Sequence, residues 1–339
     1  MTDVQYEIDK LWEGFDKLYP GGAGDIDKVG EKISLEGFFN IIIDSLSSSL
    51  ESGVAVLSAL LGISIITVVL SYLSFDERKT RIMELSSLAV FSLLVFSFVS
   101  PIITVISGSL SSLLDFTSSL SPLLSAILLS VGCVNGAGVQ ALSMSLITSL
   151  ISFSTKNLLL PISFSVFAFA AVSSVSEKGA PRVLKGIKGV FFSLFGMLTT
   201  VLFSSLGLQS MISTASDSFY IKTAKQAISG LVPVVGSTIS ASLSSLYAAF
   251  GLLRGGVFGM SLVFILSLFL PGFFSILFLR FAFSLSANFM DFCESTGGVR
   301  FFSSFILGID TLLSLYVLSF LSVFFGLFFF LKGGGAALG

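Results

Sequence analysis

Beyond residue 52 the chain is a succession of apolar stretches, each near the length of a membrane-crossing helix. The first covers roughly 53–74 (GVAVLSALLGISIITVVLSYLS) and the second roughly 86–108. A serine-laced amphipathic stretch, SLSSLLDFTSS, follows; it carries Asp115, and the helix is expected to end at Pro122. The segment 121–138 (SPLLSAILLSVGCVNGAG) is short and broken by glycines, Gly132 among them. Apolar runs near 139–155 and 158–176 flank Lys156, and further spans lie near 190–208, 231–252, 256–280 and 305–331. A helix needs about 20 residues to cross the hydrocarbon core. The pattern predicts an all-α polytopic integral membrane protein with about seven to nine hydrophobic helices. The number depends on whether the Pro/Gly-broken segments cross or turn back as re-entrant elements.

Residues 1–52 are different. They carry eleven acidic residues against four lysines. Val4, Ile8, Leu11, Trp12, Phe15 and Leu18 recur at helical spacing, and a second apolar stripe uses Val29, Ile33, Phe38, Ile42 and Leu46. Two short helices on the membrane or on the protein's own surface explain this; a docking site for a partner is the sharper reading. The chain thus divides into a polar N-terminal region (1–52), a helical membrane domain (53–332) and a Gly-rich tail (333–339). MTDVQYEIDKLWEGFDKLYP lacks a basic start and an apolar core, so it does not read as a signal peptide.

Two short basic loops orient the chain. One holds Arg78, Lys79 and Arg81; the other holds Lys178, Arg182, Lys185 and Lys188. The positive-inside rule puts both in the cytoplasm, with the acidic N-terminus outside. Lys332 puts the C-terminus inside if residues 281–297 lie along the surface. A parallel internal repeat, 53–138 against 158–255, would place Pro122 opposite Pro233; any polytopic chain can also produce such a series by chance.

Composition narrows the chemistry. The chain is 54% hydrophobic and 11% charged, where soluble proteins carry about 25% charged residues. A net charge of −2 gives no electrostatic case for nucleic acid. Histidine is absent, which removes the commonest general base and zinc ligand. Cys133 and Cys293 cannot make a multi-cysteine metal site. No phosphate-binding loop or hydrolase motif occurs, so no cofactor and no enzymatic activity are expected, and any energy source lies on another chain. The Phe324–Phe330 run suits a lipid-facing helix.

Charges near the membrane are costly, which makes each a candidate. Lys156, Arg254, Arg280 and Arg300 fit span ends, where long side chains reach water. Asp310 lies near the start of the last span, where Arg300 or Arg280 could pair with it. Lys222 and Lys225 share a helical face with Asp217 nearby, which reads either as an interfacial anchor or as an ion site beside a broken helix.

That broken helix is AKQAISGLVPVVGSTIS (224–240). Small residues recur every three or four positions through Gly230, Gly236, Ser237 and Ser240, which permits close helix approach. Pro233 frees a backbone carbonyl, tolerated at membrane depth only inside protein or beside water. Substitutions at Pro233 or Gly236 are therefore expected to cost more than any in Phe324–Phe330.

Ala224, Lys225, Pro233, Val234, Val235, Gly236 and Gly255/Gly256 together resemble the signature region of the stage III sporulation protein AE family, and 121–138 resembles that family's other Pro-to-Gly segment. The resemblance covers most of the chain and carries no catalytic signature. It implies a membrane protein of endospore-forming bacteria, in the mother-cell membrane around the forespore. It implies a pore-lining or scaffold role in the SpoIIIA–SpoIIQ channel-like assembly. Implied partners are the other SpoIIIA proteins, including a cytoplasmic ATPase, together with SpoIIQ, the lipid bilayer and further copies of the chain itself. Family members can begin with a signal peptide, which this sequence does not show. An independent small-solute permease is the alternative that the broken helices and charge cluster also suit.

Overall fold

The computed structural model describes residues 35–73, 77–130, 133–153 and 236–333, with isolated positions between 157 and 207. The elements are helices α1 (Leu35–Leu73), α2 (Glu77–Ser130), α3 (Val134–Phe153), α4 (Gly236–Phe292) and α5 (Thr296–Gly333). No strand occurs among the described residues. All five helices are long and apolar enough to cross a membrane, with spans Phe39–Val69, Ala89–Ser130, Val134–Phe153, Gly256–Phe292 and Thr296–Phe328. The spans expected near 158–176 and 190–208 fall largely outside the described residues.

The helices are longer than the hydropathy pattern implies. α2 has 54 residues and α4 has 57, about 81 and 86 Å of helix. The expected end at Pro122 is not there: Pro101 and Pro122 both lie inside α2, which runs on to Ser130. The span expected at 86–108 and the serine-laced stretch after it are one helix. The stretches at 231–252 and 256–280 likewise belong to one helix from Gly236 onward. Residues 281–292 do not lie along the surface; they continue α4, with Ala282, Phe283, Ser286 and Met290 in the core. The N-terminal polar region also contributes helix, since α1 begins at Leu35 and passes residue 52 unbroken.

Serine and threonine explain the difference. They lower local hydropathy and so mimic breaks, yet their hydroxyls bond the carbonyl four residues back in their own helix. Buried Ser64, Thr117, Ser286 and Ser322 do this at 2.7–2.9 Å. Each polar group is then satisfied without leaving the helix, as hydrocarbon requires.

α2 and α3 form one antiparallel pair and α4 and α5 another; α1 lies along α4, and α2 also touches α1, α4 and α5. On α2, Val99, Ile103, Ile106, Leu110, Leu113, Thr117, Leu120, Leu124 and Ile127 are all buried. Their spacing alternates four and three, the heptad repeat of a left-handed helix seam. At one end of the bundle, Phe91, Phe283, Phe301, Phe302 and Phe305 make a ring cluster; Phe91 and Phe302 meet edge-on with centroids 5.1 Å apart.

The Phe324–Phe330 run is only partly lipid-facing. Leu327 is fully buried, and a side chain at Gly326 would meet Ile147 of α3. Phe328 alone among the described run is exposed.

The α4–α5 turn is tight. Ser295 N–H donates to the Met290 carbonyl at 3.0 Å and Glu294 N–H to the Asp291 carbonyl at 2.9 Å, with Glu294 at φ 58°. This is a Schellman ending in which a glutamate occupies the left-handed position that glycine prefers. Glu294→Gly should raise stability by about 0.5–1 kcal/mol, and Glu294→Val should lower it by about 1–2 kcal/mol, read from thermal unfolding of the purified protein.

Candidate functional site

Pro271 and Gly272 stand in the middle of α4 and organise the most polar point of the helix interior. Proline has no N–H to close the turn onto Ser267. Tyr316 of α5 is fully buried and donates its hydroxyl to the carbonyls of Leu268 and Phe269 at 3.0 and 3.2 Å. Ser109 of α2 lies beside the same hydroxyl. On the other side of the helix, Ser275 donates to the Pro271 carbonyl at 2.7 Å, and Ser49 of α1 approaches both Ser275 and that carbonyl at 3.4 Å. Four helices thus meet at one proline. Gly272 makes this possible, because a Cβ there would lie 2.7 Å from Tyr316 Cζ. The Pro-Gly pair within a long apolar run was the sequence signal for this node, and helix spacing alone does not reveal its partners.

The second feature is the outer face of α2. Ser97, Ser100, Pro101, Thr104, Gly108, Ser111, Asp115, Ser118 and Pro122 are all exposed. At helical spacing they fall on one face roughly 100° wide, opposite the buried heptad seam. Val105 is the one large apolar residue exposed between positions 97 and 122 on this helix. Pro101 and Pro122 also leave the carbonyls of Ser97 and Ser118, on this same face, without their intrahelical donors. Thr104 and Ser118 donate within the helix, to the Ser100 and Asp115 carbonyls, but hydrocarbon does not accommodate a carboxylate and two open carbonyls on one stripe. Such a face requires water or another polypeptide.

The candidate charges separate. Asp115 stands exposed on the α2 stripe. Asp310 pairs with Arg280 of α4, accepting from its Nε. Arg300 instead turns back to the Thr296 carbonyl at 3.1 Å, at the helical turn. Arg280 is therefore not a span-end residue; it lies inside the Gly256–Phe292 span. Asp217, Lys222, Lys225, Gly230, Pro233 and Gly132 lie outside the described residues. Gly236 and Ser237 open α4. Cys133 is buried at the α2–α3 break, and no disulfide joins the two cysteines. No cluster of metal-ligating side chains occurs among the described residues.

Five long apolar helices with self-satisfied hydroxyls and interior prolines define a polytopic helical membrane protein. The family model for stage III sporulation protein AE matches residues 24–331, nearly the whole length. The chain belongs to that family. No curated protein and no solved structure matches it.

Proposed function

We propose that this chain is a non-enzymatic membrane subunit of the SpoIIIA–SpoIIQ channel assembly in the mother-cell membrane, serving as conduit wall or scaffold. Family membership supports the sporulation setting. The polar outer face of α2 carries the subunit role, because a membrane helix with that face needs water or a neighbouring chain beside it. The other SpoIIIA proteins, with their cytoplasmic ATPase, are the neighbours this reading calls for.

The test is cysteine substitution at Ser97, Thr104, Ser111 and Ser118, with the exposed apolar Leu93 as control, in a background without Cys133 and Cys293. The stripe should react with a membrane-impermeant thiol reagent when the chain is expressed alone. In the full assembly, continued labelling marks a conduit wall and protection marks a subunit contact. Labelling by lipid-phase reagents alone, as at Leu93, sinks the proposal. Bulk on the same face should matter in cells: Gly108→Leu, where a side chain meets nothing within 4 Å in the monomer, should leave the folded yield unchanged. It should still cut heat-resistant spore counts by at least about tenfold, the effect of roughly 1.4 kcal/mol of assembly energy.

A further inference from the structure

The Arg280–Asp310 pair lies inside two apolar spans, Gly256–Phe292 and Thr296–Phe328, about three helical turns from the end of the α4–α5 hairpin. Arg300 and Asp291 mark the polar end of the α4–α5 hairpin. Asp310 is ten residues from Arg300 and Arg280 eleven from Asp291, about 15 Å of helix in each case. That is farther than an arginine side chain can snorkel, and about half of a 30 Å hydrocarbon core.

The pair is incomplete as a hydrogen-bonding unit. A guanidinium has five N–H donors. Arg280 uses Nε for Asp310, and no other acceptor meets it among the described residues. The two side chains are 47% and 27% exposed. They open onto a groove of about 480 Å³ lined otherwise by Phe192, Leu277, Leu313 and Ser314. The volume is in the range of small-molecule sites. One charged end, one opposite charged end and apolar walls are therefore presented together.

Neutrality selects the ligand. The pair is neutral as it stands. An added anion or an added cation would leave a net charge at hydrocarbon depth, where unpaired charge is severely penalised. A zwitterion adds none. Its oxyanion meets the free guanidinium N–H groups, and its ammonium meets the remaining Asp310 oxygen. A primary ammonium brings three N–H donors to that carboxylate; a quaternary one has none. We infer that the groove binds a zwitterion with a primary ammonium and an oxyanion, its carbon skeleton lying against Leu277, Leu313 and Phe192. Phosphatidylethanolamine and a free α-amino acid both present this chemistry.

The experiment uses the full chain in phosphatidylcholine nanodiscs. In one arm, phosphatidylethanolamine is doped in and lipid retention is read by native mass spectrometry. In the other, alanine is titrated against glycine betaine, its quaternary counterpart. In at least one arm the primary-ammonium ligand should bind about tenfold more tightly than the quaternary one. Retention of phosphatidylethanolamine alone identifies a lipid site, and binding of alanine alone a solute site. Arg280→Gln and Asp310→Asn should each abolish the preference. Leu277→Trp should abolish it too, because it fills the groove while keeping both charges and thus the fold. Equal binding of primary and quaternary ligands in both arms overturns the inference. So does a Leu277→Trp protein that folds and binds like the wild type.

Discussion

Gly272→Ala should destabilise the protein by about 2–4 kcal/mol, the sum of an overpacking strain of about 1–3 and a lost hydrogen bond of about 1. The added methyl would sit 2.7 Å from Tyr316 Cζ, and α5 cannot yield without moving a ring that is fully buried. Tyr316 also stacks on Phe269 with centroids 5.5 Å apart, so its displacement disturbs the α4 wall as well. The measurement is thermal unfolding in detergent, repeated in a Tyr316→Leu background. With the ring gone, the Gly272→Ala cost should fall to below about 1 kcal/mol, giving a coupling energy of the size expected for contacting residues. An unchanged cost in that background would mean that Gly272 serves the backbone of α4 and not the approach of α5.

Phe302→Ala should cost about 3 kcal/mol, while Phe328→Ala on the same helix should cost under about 0.5 kcal/mol. Phe302 is fully buried and touches Phe91, Phe283 and Phe301; Phe328 is 41% exposed. Lipid tails are as apolar as the core, so little of this cost is a transfer from water. It is the loss of dispersion contacts around a void that lipid cannot fill, which places the value at the low end of the usual Phe→Ala range. Unfolding of the two variants side by side in the same detergent decides it. Equal losses would show that the ring cluster is loosely packed.

Much of the class was legible in the sequence. Low charge and long apolar runs demand a membrane, and backbone saturation in lipid then demands helices. The pairing of Asp310 with an arginine was legible as a need, since a lone carboxylate at that depth is untenable; that Arg280 answers it required α4 and α5 to lie side by side. Pro122 read as a helix end because proline removes one backbone bond. In a long helix the neighbouring turns hold, and the lost bond is tolerated if the freed carbonyl finds a polar surrounding. The heptad on α2 was present in the sequence, but averaging hydropathy over whole turns hides it, because each window mixes the Val/Ile/Leu seam with the serine-rich outer face.

By itself, then, the sequence determined the solvent, the backbone geometry and the family pattern, since each follows from composition and local spacing alone. Which prolines sit inside helices, which glycine admits Tyr316, and which residues of α2 are left exposed were decided only in the tertiary structure. Those depend on contacts between residues as far apart as Ser49 and Ser275. Inside a membrane such contacts carry little hydrophobic signature, because lipid and protein interior are nearly equally apolar, so burial could not be read from hydropathy.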